Sequence, residues 1–205
     1  WFYTETRQRE LIEALEAHVR RRFAEIRSSL AADYHFKRRR DMISFVRKLM
    51  RYKCKWDTIL REVFSSIGGQ FCAEKMTTAV FSFFYEALQV HKRVPLALAI
   101  YLHQALLSSN SSVTTKSSLN EQQQSSLELP PEMVVHALTE LRLNELQWHR
   151  LIVPFRFLGM IQYLKDVNTF YDYSKHFFCV RLLTGSGLFT LDQELVFFDF
   201  LTSEI

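Results

Sequence analysis

A scarcity of chain breakers constrains this sequence more than anything it contains. Five Gly and four Pro are spread over 205 residues. Sheet proteins turn every few residues and draw on Gly, Pro and Asn to do so. Nine breakers leave room for few turns, so the elements must be long, and long elements with short connections are helices. The eighteen Phe fit this, because large rings fill the space between stacked helices. Apolar residues at 48 % and charged residues at 23 % are ordinary for a globular chain and exclude disorder throughout. The length suffices for one domain with a substantial core, or two small ones.

Apolar periodicity places the helices. Leu11, Leu15, Val19, Phe23, Ile26 and Leu30 recur at three and four residues, which predicts an amphipathic helix over about 4–30. A second helix is expected over 36–53, with Ile43, Val46, Leu49 and Met50 on one arc and Lys37, Arg40, Arg47, Lys48 and Arg51 on the other. A short helix should follow over 56–67, begun near Asp57 and ended by Gly68 and Gly69. A helix over 71–91 is apolar nearly all round its middle and is expected to be central. Pro95 suits the first turn of a fifth, ending near Leu107.

Composition then changes. Residues 108–126 are almost entirely Ser, Thr, Asn, Gln and Lys, so 108–128 is expected to be a flexible polar loop. It divides an N-terminal helical half, 1–107, from an aromatic-rich half, 129–205, that packs on the first as one domain. In the second half helices are expected over about 131–151, 155–164, 168–183 and 191–201. Phe189 to Phe200 also has strand-like composition, but no second strand is available to pair with it, which favours helix. The fold class is therefore all-α: an irregular array of antiparallel helical hairpins, loosely HEAT-like, with one long flexible polar loop.

Catalytic chemistry finds no foothold. There is no His-Glu-x-x-His pair and no short-spaced Cys pair for zinc. Gly185-Ser186-Gly187 lacks the length and the Lys-Ser/Thr ending of a phosphate loop, and no Gly-x-Ser-x-Gly elbow occurs. No enzyme, cofactor, metal site or membrane insertion is expected; the most apolar stretch, Val94 to Leu107, is too short for a bilayer. Three widely spaced cysteines suggest a reducing, intracellular compartment, and Lys37-Arg38-Arg39-Arg40 tips the expectation toward the nucleus. The start at Trp1 suggests a piece of something larger.

Two features point to binding. Between Lys37 and Lys55 there are nine Lys or Arg and one acid, Asp41, whereas the whole chain carries only +4. Such a local basic face fits an acidic protein partner or a phosphate backbone; Lys37, Arg40, Arg47, Lys48, Arg51 and Lys55 are the candidate contacts, with Tyr34, Tyr52 and Trp56 near enough to stack on bases. Aromatic residues crowd 163–178, and Tyr163, Tyr171 and Phe178 are candidates for a protein interface. The expected function is a non-catalytic helical scaffold binding a protein partner within a larger intracellular protein or complex. The alternative is a nucleic-acid-binding domain using the basic face. The sequence leaves the oligomeric state open.

Overall fold

The computed structural model of the chain describes residues 2–64, 69–107 and 159–203. The chain divides into two compact units, Trp1–Val94 and Pro95–Ile205. Among the described residues every regular element is helical, and the helices pack together in the all-α, HEAT-like manner expected.

The first unit holds α1 (Phe2–Asp33), α2 (Arg39–Ile59) and α3 (Gly69–Ala87). The expected break between helices over 36–53 and 56–67 does not occur. Lys53, Cys54, Lys55 and Trp56 contain no breaker, so α2 runs on to Ile59 and continues as one π-helical turn, Leu60–Phe64. Asp57 is not a cap but an interior residue whose carboxylate takes the Lys53 ammonium at 2.7 Å, one turn back. Gly69, expected to end a helix, begins α3.

Side-chain pairs fix how these helices run. Lys48 on α2 reaches Asp33 at the end of α1, while Trp56 meets Phe23 nearer the middle, so α1 and α2 are antiparallel. Glu16 meets Lys75, Phe23 stacks on Phe83 at 4.4 Å and Arg27 pairs with Glu86, so α1 and α3 are parallel. Apolar side chains spaced three and four apart on each helix converge in the middle: Phe23, Leu30, Phe45, Leu49, Met76, Val80, Phe83 and Phe84 are buried. Each contributes roughly 1.5–3 kcal/mol by leaving water.

The second unit contains α4 (Val94–Ala105, whose first residue marks the division), α5 (Val167–Thr184) and α6 (Leu191–Ser203). Asp166 caps α5 by accepting from the Thr169 N–H at 3.1 Å. Gly185 ends it in the left-handed region, φ +60°, with the Ser186 and Gly185 amides returning to the carbonyls of Arg181 and Leu182. Thr190 and Gln193 bond each other's backbone N–H across the first turn of α6. That closed start explains why 191–203 is a helix despite strand-like composition. The pairs Arg181–Glu194, Phe178–Phe198 and Tyr171–Leu201 make α5 and α6 an antiparallel hairpin.

The polar loop at 108–128, the helix expected over 131–151 and the start of that over 155–164 lie outside the described residues.

Candidate functional site

The outward face of α2 follows from its inward one. Met42, Ile43, Phe45, Val46, Leu49 and Met50 are buried, and at about 100° per residue this leaves Arg40, Arg47, Arg51 and Lys55 within roughly 80° on the far side. All four are exposed. They form a straight ridge about 22 Å long, taken from the 1.5 Å rise. Lys37, in the turn before α2, is exposed as well.

Lys48, the sixth candidate, is differently engaged. It lies at the edge of the ridge, donates to Asp33 at 3.2 Å and sits 5.6 Å above the Tyr34 ring. The Ser29 hydroxyl and then Lys48 hold the Asp33 carboxyl below its usual range. Lys53 is taken by Asp57. Glu16 is turned to Arg20 and Lys75, with Arg20 the larger cause of its lowered pKa. Arg40, Arg47, Arg51 and Lys55 make no ion pair among the described residues. Asp33, Asp57 and Glu16 are thus held by other cations, and none of them pairs with the ridge.

The neighbouring aromatic rings face inward. Trp56 packs edge-on to Phe23 at 4.8 Å, Tyr52 meets Phe83 and Tyr34 meets Phe45. All three are half-buried, each packed edge-to-face with a buried ring of the unit.

The aromatic candidates of the second unit also serve packing. Tyr163 is only 7 % exposed. The Tyr171 hydroxyl donates to the Leu201 carbonyl at 3.1 Å, and burial pushes its pKa up. Phe178 stacks on Phe198 at 5.5 Å. Tyr171 and Phe178 are brought together on the α5–α6 seam rather than on an open face, and Tyr163 is in the core.

One polar constellation was not foreseen. Arg181 forks onto Glu194, Nε to Oε1 at 2.7 Å and Nη2 to Oε2 at 2.8 Å, with the pair almost wholly buried. Its Nη1 faces His103 Nδ1 at 3.3 Å, and His103 stacks on Phe177. Guanidinium nitrogens only donate, so Nδ1 accepts. His103 lies 78 residues from Arg181 and the three sit on three helices, so spacing gives no hint of them. They join α4, α5 and α6 through buried, charge-assisted hydrogen bonds within the second unit.

Among the described residues, no group of three or more His, Cys, Asp or Glu is placed to hold a metal ion. No helix among them is long and apolar enough to cross a membrane.

Within each unit the described helices pack through aromatic seams, and the first unit carries a charged outer ridge. A family model described as the cullin alpha solenoid domain matches residues 2–188, and the chain belongs to the cullin family. No curated protein and no solved structure matches it. The family match and the helical fold support a non-catalytic, protein-interaction scaffold.

Proposed function

We propose that this chain is a scaffold segment that holds an acidic protein partner along α2. One observation carries this: Arg40, Arg47, Arg51 and Lys55 stand exposed in one line and take no ion pair among the described residues. A helical or extended segment bearing acids at matching intervals would satisfy all four, with electrostatics setting register and association rate more than raw affinity. The inward-turned Tyr34, Tyr52 and Trp56 favour a protein over single-stranded nucleic acid, since the ridge then has no platform for bases. An intracellular site of action goes with this, as Cys54, Cys72 and Cys179 form no disulfide.

The test compares the wild-type chain with Arg40→Ala/Arg47→Ala/Arg51→Ala in pull-downs from nuclease-treated extract, with bound proteins identified. A defined partner retained by the wild type and lost by the variant, at unchanged thermal stability, is expected. Retention that ignores the substitutions refutes the ridge as the docking face. Retention abolished by nuclease assigns the ridge to nucleic acid instead.

A further inference from the structure

The turn that precedes α2 does not stand alone. Phe36 has φ +52°, the left-handed region that a bulky side chain rarely adopts. Its ring is buried, stacked on His91 at 4.6 Å and edge-on to Phe45 at 4.7 Å. Its carbonyl accepts from Arg93 Nη1 at 3.1 Å. An unfavourable backbone conformation is thus held by three contacts, and their effect is to clamp the α1–α2 turn to the turn that follows α3. Such conformations persist where the surroundings over-determine them, often at functional positions.

The clamp brings together two basic stretches 50 residues apart. Lys37, Arg38, Arg39 and Arg40 come from one turn, Lys92 and Arg93 from the other, and all six are exposed. His35 and His91 flank them, and Asp41 is the one acid within these stretches. No ion pair neutralises any of the six among the described residues. The field is felt locally: His91 is held below the usual imidazole range first by burial, then by the charges of Arg93 and Lys92. The start of α2 adds to it. Arg38 occupies the N-cap in extended conformation and makes no side-chain cap. The Asp41 and Met42 amides return to the Arg38 carbonyl, which leaves the Arg39 and Arg40 N–H groups at the positive end of a long helix.

We propose that this corner binds a phosphorylated residue of the acidic protein segment that lies along α2. The proposal rests on α2 as the track for that segment and adds what its end must carry. A single carboxylate is a poor match for clustered cations from two adjoining turns beside helix-terminal amides. A phosphomonoester brings nearly two charges and three strong acceptor oxygens, which suits Arg forks and N–H donors together. Arg40 belongs to both the corner and the ridge, so an acidic segment reaches the corner without a gap.

The probe is a synthetic Glu/Ala-rich peptide of about 20 residues, long enough to span the ridge as a helix. It carries one Ser near either end, phosphorylated or not, and binding to the full chain is followed by fluorescence anisotropy. Phosphorylation at one end should tighten binding about tenfold or more. Lys37→Ala/Arg39→Ala/Lys92→Ala should erase that gain and leave affinity for the unphosphorylated peptide nearly unchanged. Among the described residues these three side chains make no hydrogen bond or ion pair, and an unaltered melting temperature checks the fold. Arg47→Ala/Arg51→Ala/Lys55→Ala should weaken both peptides alike. Equal binding of the two forms, or a gain that survives the corner substitutions, overturns the corner whatever the ridge does. A gain erased by the corner variant while the ridge variant binds normally upholds the corner and refutes the ridge. Binding of neither form refutes both.

Discussion

Replacing Glu194 by Leu leaves the Arg181 guanidinium buried with its fork empty. Arg181 is 5 % exposed and Glu194 1 %, so neither charge can be rehydrated without opening the α5–α6 hairpin. Removing one partner of such a pair typically costs about 3–5 kcal/mol, most of it the penalty on the charge left behind. Glu194→Leu and Arg181→Met should each show a loss of this size. The double variant removes both charges and keeps comparable volume but leaves His103 Nδ1 without its donor, so it should lose only about 1–3 kcal/mol in all, a coupling of roughly 3 kcal/mol or more. Urea unfolding followed by circular dichroism reads this directly. With a slope of about 1–3 kcal/mol per molar urea, each single variant should lower the midpoint by about 1–5 M, and the double should fall well short of the summed losses. The pair Lys53–Asp57 is the control: its geometry is as close, 2.7 Å, but Asp57 is 43 % exposed, and removing it should cost under about 1 kcal/mol. If the two single losses simply add in the double variant, the bidentate pair is not the unit that holds the hairpin.

Two further outcomes follow from local geometry. His91 binds its proton less readily folded than unfolded, through burial and then Arg93 and Lys92. Its contribution to stability is therefore complete above its ordinary value of 6.5 and is lost as pH falls through the lowered folded value. Urea midpoints between about pH 5 and pH 8 should fall on acidification, and His91→Gln should flatten that dependence; an unchanged slope would remove His91 from the account. At the end of α5, Gly185→Ala meets no atom within 4 Å of the added Cβ but must keep φ +60°, so it should cost roughly 1 kcal/mol by backbone strain alone. A methyl on Gly187 would instead sit 3.0 Å from Glu194 Oε1. Gly187→Ala should therefore cost less in the Glu194→Leu background, and an equal cost in both would show that the methyl acts elsewhere.

Helices were legible here because their causes are local. The apolar spacing of 19–30 and 43–50 encodes the buried faces of α1 and α2, whereas Leu11 and Leu15, counted on the same face, stay exposed while Ile12 is buried, and Gly185 marks the end of α5 in the sequence as it does in space. The misplaced boundary at 53–56 has an equally local cause. Basic residues and Asp57 resemble a cap or linker, yet nothing in them stops a helix, and the i, i+4 pair Lys53–Asp57 supports its continuation. In α6 the Thr190–Gln193 box was the signal that separates helix from strand, and it is present in the letters.

Binding surfaces divide along the same line. The ridge on α2 needs only one helix and one periodicity, so the alignment of Arg40, Arg47, Arg51 and Lys55 is legible in the letters, whereas Lys48 is diverted by Asp33, a partner from another helix. The aromatic residues 163, 171 and 178 could not be sorted into core and surface without knowing that α6 returns antiparallel against α5 and covers Tyr171 and Phe178. The basic corner lies furthest beyond sequence reasoning, because Lys92 and Arg93 join Lys37–Arg40 only through the stack of Phe36 on His91. That dependence ties the proposed site to the fold. A ridge survives on any straight α2, whereas the corner exists only while Phe36 holds its left-handed turn. A phosphate at the corner would place negative charge between the two basic turns and favour the clamped arrangement, so ligand and clamp stabilise each other.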